Sequence, residues 1–299
     1  MPVTTSIISP PARIAVIGLG NMGLPMSACL ARAGFEVIGY DVSAKARERF
    51  VKAGLRVGTD VGAVVAGAAV VITLLPNGSI VRAVIEGLGP HLGDGTIVID
   101  MSSSEPLGTR ALGEKLAAAG VAFIDAPVSG GVRRAVDGSL AIMVGGDGAT
   151  IDRVAPVLAA MGRSIFRTGP LGSGHAVKAL NNYVSAAGLV ASLEALAVGA
   201  SFGIEPKLIV DVLNASSGRN NSTELKLKQF VLSQSFGSGF SLGLMAKDIR
   251  TAQDLGRALA MPMPLGEIVS NVWNDAEERI GGGADHTEVQ RYLEMLKSP

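Results

Sequence analysis

The sequence predicts an α/β protein: a doubly wound parallel sheet within residues 1–172, followed by an all-helical half over residues 173–299. Three observations predict it. Short apolar, β-branched runs alternate with helical stretches through the first half, the order that places parallel strands between two layers of helices. Beyond Gly174 no run has strand character. The length of 299 residues suits two domains.

The elements follow in order. Arg13–Ile17 is a strand, Met22–Ala33 a helix stopped by Gly34, and Phe35–Asp41 a second strand. Ser43–Ala53 is a polar-faced helix ending at Gly54, and Leu55–Val57 a short strand. Val61–Ala66 is a small helix, Ala69–Leu75 a strand, and Ile80–Ile85 opens a further helix. Strands Thr96–Asp100 and Val121–Asp125 flank helix Pro106–Ala119. After Gly131 the pattern changes: strands Leu140–Val144 and Ser164–Arg167 are separated by helix Ala149–Ala160. The second half reads as helices 176–202, 206–216, 222–233, 242–259, 263–280 and 287–296, and the boundary falls in the run Gly169–Gly174.

Composition excludes several functions. Lys plus Arg and Asp plus Glu are both 26, so the formal net charge is zero. That balance argues against nucleic acid as a partner, which requires clustered basic charge, and against a polybasic membrane anchor. Aromatic residues are only 4%, too few for a base-stacking platform. The single cysteine, Cys29, forms no internal disulfide, and no Cys or His spacing suits a metal, so no metal is expected. A cytoplasmic setting fits. The uncharged stretch Val61–Val81 is broken by Gly and Pro, and Ala179–Leu193 carries Asn and Ser, so neither is expected to span a membrane. Residues 1–13 have no basic n-region and read as a short loose arm.

The strongest motif is Gly18-Leu19-Gly20-Asn21-Met22-Gly23, between a predicted strand and a predicted helix. Gly18 permits the tight turn, Gly20 lets a pyrophosphate approach the backbone, and Gly23 lets the helix pack on the strand. The free N–H groups of the helix start attract phosphate. Asp41 ends the second strand, where an acid binds ribose hydroxyls and disfavours a 2′-phosphate. NAD is therefore the expected cofactor, with NADP kept open by the nearby Lys45 and Arg47; Asp41 as a plain strand-end or N-cap acid is the competing reading.

Three further strand ends would line the crevice at the carboxyl edge of the sheet: Leu75-Pro76, Asp100–Ser104, and Asp125–Gly131. Each is also readable as an ordinary turn. Ser129-Gly130-Gly131 offers a hydroxyl and approachable backbone N–H groups suited to a carboxylate. Lys178 and Asn182 stand four apart, on one face of a mostly apolar helix. A lysine desolvated there can carry a proton; from spacing alone, a first-turn lysine reaching solvent fits equally. His175 ranks behind Lys178, as a loop or cap residue.

GLGNMG, DAPVSGG, the Gly172–Asn182 run GSGHAVKALNN, and Phe240 followed by Lys247-Asp248 together resemble the β-hydroxyacid dehydrogenase family over Ile14–Ile280. The resemblance implies a Rossmann-type N-terminal domain and a helical C-terminal domain joined by a long helix. It implies Lys178 as the catalytic lysine and Ser129, Gly130, Gly131 and Asn182 as substrate-binding residues. Leu75, Pro76 and Ser103 would touch the cofactor, Lys247 would reach it and close the site, and Phe240 would cover the pocket. Without the family, Lys247 reads as a solvated charge. Two sister groups depart by residue. Asn181 stands where 6-phosphogluconate dehydrogenases carry a histidine, and Lys178 is retained where imine-reducing relatives commonly replace it.

The expected reaction is reversible oxidation of a small 3-hydroxy acid to its 3-oxo acid or semialdehyde, 3-hydroxyisobutyrate dehydrogenase-like. Ser216-Ser217-Gly218-Arg219 leans that way, while Asn220-Asn221-Ser222 does not settle it. A tartronate semialdehyde reductase-like activity and a non-catalytic nucleotide-binding homologue are the alternatives. The Ala-rich stretch 186–200 and the apolar helices after it exceed what a small helical lobe buries alone, so a homodimer or homotetramer is expected.

Overall fold

The computed structural model describes residues 6–296. Residues 1–5 of the expected N-terminal arm lie outside them. The rest of that arm is anchored: the Ile8 N–H donates to the Arg153 carbonyl at 2.8 Å and the Ile8 side chain is buried. The chain divides into two compact units, Met1–Lys178 and Ala179–Pro299. The sequence boundary after residue 172 lies six residues earlier, because the first turn of the long helix is hydrogen-bonded to the first unit, as described below.

Among the described residues the first unit carries nine strands: β1 Arg13–Ile17, β2 Glu36–Tyr40, β3 Arg56–Val57, β4 Val70–Thr73, β5 Ile97–Asp100, β6 Ala122–Asp125, β7 Val128–Ser129, β8 Leu140–Gly145 and β9 Gly162–Gly169. They form one sheet in the order β3-β2-β1-β4-β5-β6-β8-β7, with β9 on β8. The chain runs outward from β1 to β3, then returns to lay β4 beside β1, which makes the β1/β4 edge the switch point of the sheet.

Its helices are α1 Gly23–Arg32, α2 Ala44–Lys52, α3 Val61–Val65, α4 Gly78–Leu88, α5 Pro106–Ala118, α6 Gly131–Asp137, α7 Gly148–Arg153 and α8 Ala155–Met161. Period-2 alternation along the strands feeds two cores. Ile14, Val16, Val70, Ile72, Ile97 and Ile99 pack with Met26, Leu30 and Phe50 on one face. Ala15, Ile17, Val71 and Val98 pack with Val65, Ile85 and Leu112 on the other. Strands buried on both sides are why these runs are almost wholly apolar.

The sheet is not parallel throughout. After β6 the chain reverses, so β8 meets β6 antiparallel at Asp125 and Gly145, and β7 also pairs antiparallel with β8. The sequence reading missed β7 and α6. Two strand residues are too few to show alternation, and Gly130-Gly131 disguises a helix start. The expected helix 149–160 breaks at Val154, with Pro156 in the first turn of the following helix.

The second unit is helical: α9 Ser173–Ser201, which begins in the first unit, then α10 Pro206–Ala215, α11 Asn221–Leu225, α12 Leu242–Ala258, α13 Pro264–Ile280 and α14 Val289–Met295. Leu189, Leu193, Val210, Leu227, Met245, Ile249 and the fully buried Trp273 form its core. The expected helix 222–233 is instead α11, opened by an Asn220/Thr223 capping box, followed by a π-helical turn over Leu227–Leu232. α9 is long and apolar enough to cross a membrane by length and composition alone. Its Ala186, Leu189 and Leu193 are buried, whereas Val184 and Val198 are 66% and 71% exposed.

Candidate active site

The loop after β1 fits a dinucleotide. Gly18 has φ +99°, and a Cβ there would lie 2.2 Å from the Leu74 carbonyl oxygen, so only glycine lets the loop pass the end of β4. A Cβ on Gly23 would stand 2.0 Å from the Gly18 oxygen, so Gly23 seats α1 directly on the turn. Around Gly20 a Cβ would meet nothing within 4 Å, leaving the backbone open to an approaching group.

Helices α2, α3 and α4 are each capped by a side chain, from Ser43, Asp60 and Asn77. α1 has Met22 at its N-cap, makes no side-chain cap bond and carries no acid in its first turn. An uncapped helix start holds N–H donors and positive dipole for an anion. Asp41 is fixed beside it: its Oδ2 accepts the Leu19 N–H and its Oδ1 the Ser43 N–H, both at 2.8 Å. Arg47 donates to the carbonyl oxygens of Asp41 and Val42, at 2.6 and 3.1 Å. The residues present therefore fit NAD(P).

The neighbouring strand ends are held by a buried carboxylate to which sequence reasoning gave no role. Asp100, at the end of β5, accepts from Thr73 Oγ1 at 2.8 Å, the Ser102 N–H at 3.0 Å and Ser104 Oγ at 2.7 Å. Ser102 Oγ in turn accepts the Leu75 N–H at 2.9 Å. Leu75 and the Ser102–Ser104 loop that holds Ser103 are thus locked to one another across β4 and β5. Ser129 is half-buried on β7, and Gly130, with φ +128°, opens α6 as an N-cap without a side-chain bond.

Asp125, at the end of β6, sets the head of α9. Its carboxylate accepts the Gly172 N–H at 2.7 Å and the His175 N–H at 2.8 Å, and it is fully buried. Burial pushes its pKa up against the pull of His175 and these N–H groups. His175 is a helical residue with a buried ring, not a loop residue. Its Nδ1 lies 2.8 Å from Thr109 Oγ1, and its Nε2 lies 3.6 Å from Asp100 Oδ2. Thr109 Oγ1 also bonds the Glu105 carbonyl at 3.1 Å, so His175 is tied into structure rather than presented to solvent.

Lys178 and Asn182 follow on α9 with four-residue spacing, which puts them one above the other on one face. Lys178 is half-buried and Asn182 buried. In the second unit, Asn182 Nδ2 donates to Asp248 Oδ2 at 2.6 Å, and Lys247 Nζ lies 3.3 Å from Asp248 Oδ1. Asp248, on α12 and almost fully buried, thereby gathers Asn182 and Lys247, two residues the sequence singled out separately. The Ser129-Gly130-Gly131 turn belongs to the first unit.

Two family models match successive parts of the chain. The family described as the NAD binding domain of 6-phosphogluconate dehydrogenase matches residues 13–169. The family described as NAD-binding of NADP-dependent 3-hydroxyisobutyrate dehydrogenase matches residues 172–293. The chain belongs to the β-hydroxyacid dehydrogenase family. Among relatives of this family, the NAD-dependent L-serine dehydrogenase of Pseudomonas aeruginosa is 35% identical over 291 residues, covering 94% of this chain and 98% of its own. The 2-(hydroxymethyl)glutarate dehydrogenase of Eubacterium barkeri is 32% identical over 287 residues, 95% of each chain. A solved structure of Mycobacterium tuberculosis 3-hydroxyisobutyrate dehydrogenase with L-serine superposes with TM-score 0.88 at 33% identity, covering 94% of this chain and 99% of that one.

Proposed function

We propose that the chain interconverts a small 3-hydroxy acid and its 3-oxo acid or semialdehyde, with Lys178 as the proton carrier. The observation that carries the reading is the pairing of Lys178 with Asn182 on one face of α9, in a chain with an uncapped, glycine-lined nucleotide loop. NAD(P), when bound, accepts or supplies the hydride. The Gly18–Gly23 loop and the head of α1 would hold its pyrophosphate and Asp41 its adenosine ribose, and Leu75, Pro76, Ser103 and Lys247 are the further residues that would touch it.

Lys178 Nζ takes the hydroxyl proton on oxidation and returns it on reduction, a contribution of about 10²–10⁴-fold. Asn182, oriented by Asp248, holds the hydroxyl or the carboxylate beside it. The Ser129-Gly130-Gly131 turn takes the carboxylate, which fixes the reacting carbon. The named relatives act on 3-hydroxyisobutyrate, L-serine and 2-(hydroxymethyl)glutarate, all hydroxymethyl acids, and this supports the substrate class.

The test compares Lys178→Ala and Lys178→Arg on one active hydroxy acid, read by reduced-nicotinamide absorbance. Both should lose kcat by orders of magnitude with NAD binding retained, because a guanidinium does not release its proton. A Lys178→Arg enzyme that keeps kcat and only raises KM would make Lys178 a carboxylate anchor and overturn its role. The exposed apolar residues Val184, Val198 and Phe202 support a homodimer or homotetramer built through the second unit, and the lone, buried Cys29 suits a cytoplasmic setting.

A further inference from the structure

Lys226 stands apart from the other lysines of the second unit. It lies between α11 and the π-helical turn, and its Nζ donates to Ser185 Oγ at 3.0 Å. Ser185 is on α9, three residues beyond Asn182 and seven beyond Lys178, so the spacing 178, 182, 185 places all three on one helix face. The rise from Asn182 to Ser185 is about 4.5 Å at 1.5 Å per residue.

The ammonium is partly withdrawn from water, and burial pulls its pKa from the usual lysine value down to about 8. No carboxylate is ion-paired with it among the described residues. The charged and titratable groups that act on it are Asp285, which raises its pKa in part, and His286, which its own charge pushes down. Asp285 is already engaged. It accepts from Ser238 Oγ, the Gly239 N–H at 2.9 Å, and both the N–H and Oγ1 of Thr287, at 3.0 and 2.6 Å. His286 packs edge-on against Phe240, the residue expected over the pocket, at 5.8 Å between ring centroids.

A largely desolvated ammonium whose one hydrogen-bond acceptor among the described residues is a hydroxyl is costly unless an anion joins it. The Ser185 hydroxyl, accepting from Lys226, keeps its own proton to donate. Ammonium and hydroxyl together present two donors, matched to the two oxygens of a carboxylate.

We propose that Lys226, with Ser185, binds a second carboxylate, so that the preferred substrate is a 3-hydroxy dicarboxylic acid whose second acid group lies two or three carbons from the hydroxymethyl-bearing carbon. This rests on the hydroxyacid dehydrogenase reading above. It assigns Lys226 to specificity, whereas Lys178 carries the proton.

The experiment uses the full chain with NAD and two matched probes: 2-(hydroxymethyl)glutarate, and 2-(hydroxymethyl)pentanoate, in which a methyl group replaces the distal carboxylate. The readout is the diacid-to-monoacid ratio of kcat/KM. It should exceed about 10 for the wild type, since a charge-assisted pair is worth about 1.5–3 kcal/mol. Lys226→Met should bring the ratio to about one, and Ser185→Ala should lower it part of the way. As pH rises through about 8 the ammonium is lost, so the wild-type ratio should fall, whereas Lys226→Arg should hold it. Thermal unfolding of each variant controls for folding. A wild-type ratio near one, or a ratio unmoved in a folded Lys226→Met, overturns the proposal and leaves the dehydrogenase reading standing. Absence of turnover with both probes and with 3-hydroxyisobutyrate overturns the dehydrogenase reading itself.

Discussion

Asp125 governs how α9 begins, and replacing it isolates that role. Its buried carboxylate accepts two backbone N–H groups, those of Gly172 and His175, at 2.7 and 2.8 Å. In Asp125→Ala both donors are left in a dry site. Each unsatisfied buried donor costs about 1–3 kcal/mol, and loss of an N-cap alone costs about 0.5–2 kcal/mol. Against this, burial already raises the Asp125 pKa, so removing the charge recovers part of its desolvation cost. The balance is a loss of about 3 kcal/mol. Asp125→Asn keeps one acceptor oxygen but turns its amide NH2 toward the other N–H donor, so it should lose about 2 kcal/mol. At roughly 2–4 °C per kcal/mol for a unit of this size, Tm should drop by about 6–12 °C for alanine and about 4–8 °C for asparagine. Differential scanning calorimetry without cofactor is the assay, with the transition of the sheet-bearing unit followed. An alanine variant within about 1 °C of the wild type would refute the capping argument. An asparagine variant as stable as the wild type would show that one of the two N–H groups needs no acceptor here.

Three other outcomes follow from the same geometry. Asp41→Ala should lower the NAD-to-NADP ratio of kcat/KM by about 10–100-fold, because a carboxylate facing a 2′-phosphate costs several kcal/mol; a wild type that prefers NADP would overturn the assignment. His286 is buried, and desolvation, helped by the Lys226 charge, pulls its pKa to about 4. The unfolded state then binds the proton first, so stability should decline as pH falls from about 6.5 toward 4, by up to about 3 kcal/mol. Denaturant midpoints should show this decline, and His286→Gln should flatten it; an equally steep decline in the variant refutes the cause. In light scattering at micromolar concentration the protein should exceed the 30.5 kDa monomer, and Val184→Glu with Phe202→Glu should shift it toward monomer; a wild type that is already monomeric removes the oligomer.

The parts of the fold that were readable in the sequence are those with a sharp local period. Strands β1, β4 and β5 are buried on both faces and announce themselves as β-branched runs. The dinucleotide loop was readable because its glycines have separate steric reasons. The Leu74 carbonyl crowds Gly18 and the Gly18 carbonyl crowds Gly23, so each reason leaves a fixed letter at a fixed offset. The reversal at β7 was not readable, because two residues carry no period. The π-helical turn after Lys226 was also hidden, since widening a helix by one residue per turn shifts a face without changing which residues are apolar.

The candidate site divides along the same line. Lys178 and Asn182 were found because a helix turns their spacing into adjacency. Asp248 was visible only as the neighbour of Lys247, and nothing local said that it receives the Asn182 amide from a helix 66 positions earlier. Asp100 and Asp125 were equally plain as strand-end acids, and equally silent about their work. A buried carboxylate needs several donors to persist, and those donors come from β4, the Ser102–Ser104 loop and the head of α9. Residues that touch a substrate tend to sit in short motifs, because one loop or one turn presents them. Residues that aim those side chains draw partners from across the fold, and their letters gain meaning only when the chain is folded.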